Sequence, residues 1–277
     1  MKNIAVTGSD ISSAWLNACR AMAAESPVAY HTVVRIENPL DEDPAVRAAV
    51  DEILSTAGLQ SVKTVANTIF PAAVAATSSD QLELTRRYLD AMPTLRRLSP
   101  ANIYGTYFGR LVSYPGPDGP VNQLDAIITR LSKETAKSGT RTGPLSAAYE
   151  AGFALPGEEG NAPPGEGRMS ALHAPVRVPG QDTRVPGFPC LSHCSFQLDR
   201  TDTLHAMAHY RSQLMVERAY GNYVGLGRLL GYIAGRTGLR TGQLTVTAGY
   251  ASLDQRKRLG VLLAACHPEP MTTAQPV

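Results

Sequence analysis

Apolar residues recur at helical spacing near the start of the chain, through Ile11, Trp15, Leu16, Cys19 and Met22. They predict a helix over residues 1–27 with Ser12 or Ser13 as its N-cap. A β-branched run at 29–36 predicts a short strand ending near Asn38-Pro39. Pro44 opens a second helix through Val46, Val50, Ile53 and Leu54, which stops at Gly58. Residues 64–70 read as extended up to Pro71. A further helix starts at Ser79 or Asp80 and runs through Leu82, Leu84, Tyr88, Leu89 and Met92, acidic early and arginine-rich late. Residues 123–131 repeat the amphipathic pattern after the turn at 115–119.

The pattern then breaks. Twelve of the 32 residues at 156–187 are Gly or Pro, which predicts a long surface connection with at most one short strand near 172–178. Beyond it, 189–198 and 203–211 predict two strands joined by a hairpin turn at Asp199-Arg200-Thr201-Asp202. A long helix follows to Arg236, starting at about Gln213 or Asn222. It carries Gly221, Gly225, Gly227, Gly231 and Gly235, and glycine costs about 1 kcal/mol per helix-interior site, so close backbone packing is the expected compensation. Residues 243–248 predict another strand, and 267–277 form a Pro- and Thr-rich tail expected to be mobile. No internal repeat is present.

Composition narrows the function classes. The 277 residues are 43% hydrophobic and 18% charged, which fits a folded chain. Lys+Arg 26 against Asp+Glu 24 leaves +2, with the basic residues dispersed, so neither nucleic acid nor a membrane is expected as partner. Without a long apolar run or an apolar leader, the expected location is cytoplasmic. The four cysteines form no disulfide framework or zinc-type pairing. Cys190, His193 and Cys194 are too spread along a straight strand to share one metal, since four residues span about 13 Å. No metal is expected.

Chemistry concentrates after residue 188. Arg211-Ser212 places a guanidinium beside a hydroxyl at an expected strand-to-helix junction, a combination suited to an anion. Asn222 offers one donor and one acceptor, matching a pyrimidine edge whose O4 accepts and N3–H donates. Taken singly, each has an ordinary reading: a surface arginine, a capping asparagine, a satisfied core histidine at 193.

In order and spacing these segments, PCLSHCSFQL, HYRS, AYGNYVGLGRLLGYIAG and GQLTVTAGYASL, resemble the second half of thymidylate synthase and the related pyrimidine nucleotide hydroxymethylases. His193, Gln197, Arg211, Ser212 and Asn222 fall in register, with the Arg-to-Asn spacing of eleven kept. Upstream, Tyr104-Gly105 through Arg110, then Asp118-Gly119 and Asn122-Gln123, are similar to the family's Tyr-Gly…Trp-Arg and Asp-Gln segment. The similarity covers roughly residues 100–255, so the Gly/Pro-rich stretch reads as an insertion within one domain spanning 1–277.

The resemblance implies an α/β (α+β) fold: a mixed β-sheet packed against long helices, with one sheet face used for dimerisation. It implies a pyrimidine nucleoside monophosphate as ligand, its phosphate held by Arg211, Ser212 and an Arg141 reaching across from a second subunit. Asn222 would read the base, and Gln197, His193 and Tyr104 would line its pocket. The implied reaction is methylation or hydroxymethylation at C5, with 5,10-methylenetetrahydrofolate as carbon donor.

Several positions depart from the family. Ser192 stands five before Gln197, where the nucleophilic cysteine is expected, and Cys190 lies two residues upstream after Pro189. Period-two alternation places Cys190, Ser192 and Cys194 on one strand face, so a bulge or register shift would present Cys190 instead. Sulfur suits attack on C6, since a thiolate is far more accessible at pH 7 than an alkoxide. Leu214 replaces the aspartate that contacts folate, and Ser252 and Asp254 replace the His and Tyr that bind the sugar hydroxyl. Asp254 is then a candidate acceptor for vicinal hydroxyls. No counterpart of the catalytic glutamate is legible. Two alternatives follow: a homologue that keeps the nucleotide site for regulation, or an enzyme using Ser192, His193 or Asp254 in a folate-independent reaction such as hydrolysis or another transfer.

Overall fold

The computed structural model describes residues 3–98, 102, 105–116, 118–136, 172–178, 182 and 189–266. The expected insertion lies mostly outside the described residues, as do the tail, Tyr104 and Arg141.

The chain opens with a strand, β1 (Ala5–Asp10), where a helix from the start was expected. Helix α1 (Ile11–Glu25) begins only after it, capped by Asp10, whose carboxylate accepts from the Ser13 amide at 2.8 Å while the Asp10 amide donates to the Ser13 hydroxyl. Strand β1 pairs in parallel with β2 (Val28–Asn38), a long-range partner that local periodicity does not reveal. Helix α2 (Pro44–Thr56) follows, with Pro44 at its first position as expected. Residues 62–69, expected to be largely extended, are helix α3 (Val62–Ile69), capped by Ser61. Its β-branched residues lower helix propensity, yet Val62, Val65, Ala66 and Ile69 are buried along one stripe, so packing overrides the local preference.

A short α4 (Ala72–Ala76), the amphipathic α5 (Gln81–Leu98) and α6 (Tyr107–Val112) lead to the hairpin β3 (Tyr114–Gly116) and β4 (Gly119–Val121), then α7 (Gln123–Ala136). Strand β5 (Leu172–Pro175), within the expected 172–178, precedes β6 (Leu191–Leu198) and β7 (Thr203–Leu214). The β6–β7 hairpin turns where expected, and Asp199 accepts from the Thr201 and Thr203 amides at 2.7 and 3.0 Å. A π-helical turn, Met215–Ala219, joins β7 to α8 (Tyr220–Thr237), so Arg211 and Ser212 lie inside the strand and not at its junction with the helix. Strand β8 (Arg240–Ser252) and α9 (Arg256–Ala265) complete the described fold.

Six strands form one mixed sheet in the order β1-β2-β8-β7-β6-β5, with β1–β2 and β7–β8 parallel and the other pairs antiparallel. The chain is therefore of the mixed α/β class. Trp15, Tyr220, Tyr223, Leu230 and Ile233 are fully buried in the hydrophobic core beside the inward residues of the sheet. The glycines of α8 have the expected role: a Cβ on Gly227 would sit 1.9 Å from the Pro39 carbonyl oxygen, and one on Gly221 2.6 Å from the Val65 Cβ. On the other face of the sheet Tyr30, Val33, Met207 and Tyr250 are exposed, and Tyr30 meets Tyr250 edge-on at 5.8 Å.

The inward parity changes at one height across β7, β8 and β2, and at the adjacent height in β6. Buried positions pass from Leu191 to Cys194 in β6, from Tyr210 to Gln213 in β7, from Ala248 to Ala251 in β8 and from Ala29 to Thr32 in β2. Each is a step of three where alternation dictates two. In β6 the step is a bulge between Leu191 and His193, and in β2 it contains His31 with φ 51°. This row of irregularities lies beside the site.

Candidate functional site

A cavity of about 420 Å³ opens where the far end of β7 meets α3, the start of α6 and the π-helical turn. Cys190, Ser212, Gln213, Glu217, Arg218 and Asn222 all contribute to its lining. The first and last of these are 32 positions apart in sequence, and the topology brings them together because β6, β7 and α8 follow one another around this corner.

Asn222 is only 4% exposed and contributes to the cavity wall. A buried carboxamide facing a cavity is costly unless protein, ligand or water satisfies it. It neither caps the helix nor faces solvent. Gln213 is also 4% exposed and accepts a long bond from the Tyr223 hydroxyl at 3.5 Å, while its amide nitrogen has no partner among the described residues. Thr106 closes another wall, its hydroxyl 2.6 Å from that of Tyr88 and accepting from the Gly109 amide.

Cys190 is half-buried, and its carbonyl accepts from the Arg211 amide at 2.8 Å. Burial pushes its thiol above the ordinary value, and the Arg211 and Arg218 guanidinium groups partly offset that. Tyr107, also in the lining, has its hydroxyl pushed up to about 12 by burial, against the opposing pull of hydrogen bonds from the Leu191 and Cys190 amides. The bulge in β6 accounts for the fate of its neighbours. It breaks the shared face expected for Cys190, Ser192 and Cys194: Cys194 is buried in the core, and the Ser192 hydroxyl donates to the His209 carbonyl at 3.0 Å. His193 and Gln197 alternate with the buried Cys194, Phe196 and Leu198, which puts them on the other face of the sheet and outside the cavity lining.

Arg211 stands next to the cavity rather than on its wall. Its Nε and Nη2 both donate to the Pro189 carbonyl, at 3.1 and 2.8 Å. Asp254 has a different task from the expected sugar contact: its carboxylate accepts from the Val216 and Glu217 amides at 2.8 and 3.0 Å, holding the π-helical turn. A wider concavity of about 790 Å³ is lined by Asp254, Gln255, Arg256, Lys257, Arg258 and aliphatic side chains, and contains none of Cys190, Ser212 and Asn222.

The structure thus gathers Cys190, Ser212 and Asn222, leaves Ser192, His193, Gln197 and Asp254 off the cavity wall, and puts Arg211 behind Cys190. Sequence reasoning missed Glu217 and Arg218, although a charged pair interrupting the apolar run 214–220 was visible. The upstream motif has a structural use: buried Gln123 donates to the Arg110 and Pro175 carbonyls, and Arg110 pairs with Asp182 at 3.0 Å. Among the described residues no group of acidic, His or Cys side chains has the arrangement of a metal site, and no helix is long and apolar enough to cross a membrane. Compared with models of known protein families and with curated proteins, the chain matches none.

Proposed function

We propose that this chain is an enzyme of pyrimidine nucleotide metabolism, resembling thymidylate synthase, that binds a pyrimidine nucleoside monophosphate between Cys190 and Asn222 and transfers one carbon to C5 of its ring. The observation that carries the reading is the convergence of a half-buried thiol with the buried carboxamides of Asn222 and Gln213 in one cavity, beside Ser212 and two guanidinium groups. Asn222 Nδ2 donates to O4 of a uracil and its Oδ1 accepts from N3–H. The Cys190 sulfur, once deprotonated, adds to C6: the S–C6 bond forms, the C5–C6 π electrons move to O4 as an enolate, and Asn222 stabilises that charge as it develops. C5 is then nucleophilic and takes the one-carbon unit from a donor, the bond between that carbon and the donor breaking with its electrons staying on the donor. Loss of the C5 proton and departure of the thiolate restore the ring. Ser212, Arg211 and Arg141 remain the proposed holders of the phosphate.

The carbon donor implied by the resemblance, 5,10-methylenetetrahydrofolate, needs a carboxylate for the amide edge of its pterin. Leu214 lies on the cavity wall where the family has that aspartate, and the carboxylate present, Glu217, is paired with Arg218 at 2.9 Å. The described residues therefore do not fit a pterin. That observation favours, as a second reading, a nucleotide site used for regulation or for a folate-independent reaction. The exposed Tyr30, Val33, Met207 and Tyr250 support a homodimer through the open sheet face.

Calorimetry with UMP, dUMP, CMP and dCMP tests the reading. Binding of at least one is expected, weakened about 10-fold or more by Asn222→Ala, a loss typical of a buried hydrogen-bond pair. No binding to any of the four contradicts it.

A further inference from the structure

Arg218 enters the cavity on a turn that is tied down by three hydrogen bonds: the two amides accepted by Asp254, and the Trp15 indole N–H donating to the Met215 carbonyl at 2.6 Å. A π-helical turn is an uncommon way to leave a strand, and such turns concentrate at functional sites. Here it sets Glu217 and Arg218 side by side in the lining. The guanidinium is itself gripped from both sides: Nη1 donates to Gln60 Oε1 at 2.6 Å, and Nη2 lies 2.9 Å from Glu217 Oε1. A guanidinium has five N–H donors, and these contacts use about two, so the planar fork is oriented while donors remain for something in the cavity. Arg211 differs, because two of its donors go to the Pro189 carbonyl behind the wall.

We infer that Arg218 is an oxyanion-binding residue of this cavity, taking a phosphate or carboxylate group of a ligand, with Gln60 and Glu217 positioning its guanidinium and Asp254 positioning the turn that carries it. Glu217 has a second effect. Its negative charge opposes any incoming anion and competes for the fork, so it sets the selectivity of the position. This assignment uses neither the base-reading carboxamide nor the cysteine, and it stands or falls separately from the nucleotide reading.

Calorimetric titration with inorganic phosphate and with glutarate tests it on the wild type, Arg218→Met, Arg218→Lys and Glu217→Gln, with near-ultraviolet circular dichroism confirming each fold. The wild type binds at least one probe. Arg218→Met weakens that binding about 10- to 100-fold, the usual loss for charge-assisted bonds, and Arg218→Lys recovers part of it. Glu217→Gln tightens it, a gain that a merely structural pair does not produce. A response to phosphate alone assigns a phosphate ester, and a response to glutarate alone assigns a carboxylate. Where Arg218→Met fails to fold, the Lys and Gln variants carry the comparison. The assignment is overturned if neither probe binds the wild type, if the Arg218 variants bind as tightly as the wild type, or if Glu217→Gln weakens binding.

Discussion

Cys190 and Asn222 are the two residues whose environments ask for a ligand, and for opposite reasons. The carboxamide is buried against the cavity, whereas burial raises the pKa of the thiol despite two arginines nearby. Thiolate is the reactive form, so alkylation of Cys190 by iodoacetamide should rise with pH through a midpoint above that of an unperturbed cysteine. Because the guanidinium groups lower that midpoint, Arg211→Met and Arg218→Met should each move it further up. Peptide mass mapping across a pH series measures this against an unstructured cysteine peptide, and a wild-type midpoint below that of the peptide contradicts the described burial. Asn222 was legible in the sequence through the resemblance that its spacing from Arg211 carries, whereas the π-helical turn between β7 and α8 was not. Ser192, His193 and Gln197 were placed in the pocket by the same logic and are not there. A single extra residue in β6 reverses every side chain beyond it, and pairing partners rather than local sequence fix such a bulge.

At the scale of elements, the packing of α8 on α3 and on the segment around Pro39 positions the site. The Gly227 contact allows no side chain, because its Cβ would lie 1.9 Å from the backbone oxygen of Pro39. Gly227→Ala should therefore destabilise the fold by about 1–3 kcal/mol, as overpacking does. Gly235 lies in the same helix with nothing within 4 Å of its Cβ position, and Gly235→Ala should stabilise by about 0.5–1 kcal/mol. Urea denaturation of the two variants measures the contrast, and equal shifts would contradict the close approach. The glycine series in α8 was readable as a packing surface, but its partner was not: α3 has the composition of a strand, and only the groove offered by α8 makes it helical. Strand β1 was hidden for a similar reason, its pairing partner being the strand after α1.

Across the whole molecule, the sheet carries its core on one side and a row of exposed apolar side chains on the other. Met207 lies level with Thr245 of β8, and Tyr250 with Tyr30 of β2, on the open face. If that face pairs with a second copy, Met207→Lys should shift the protein toward monomer in sedimentation velocity, while a wild type that is monomeric at all concentrations contradicts the proposed dimer. The proposed chemistry requires a pyrimidine nucleotide in the cavity with C6 against the Cys190 sulfur. Release of tritium from 5-tritiated UMP, dUMP, CMP and dCMP reads that attack directly. The account predicts release from at least one of them by the wild type and none by Cys190→Ala; release that persists unchanged in the alanine variant contradicts it.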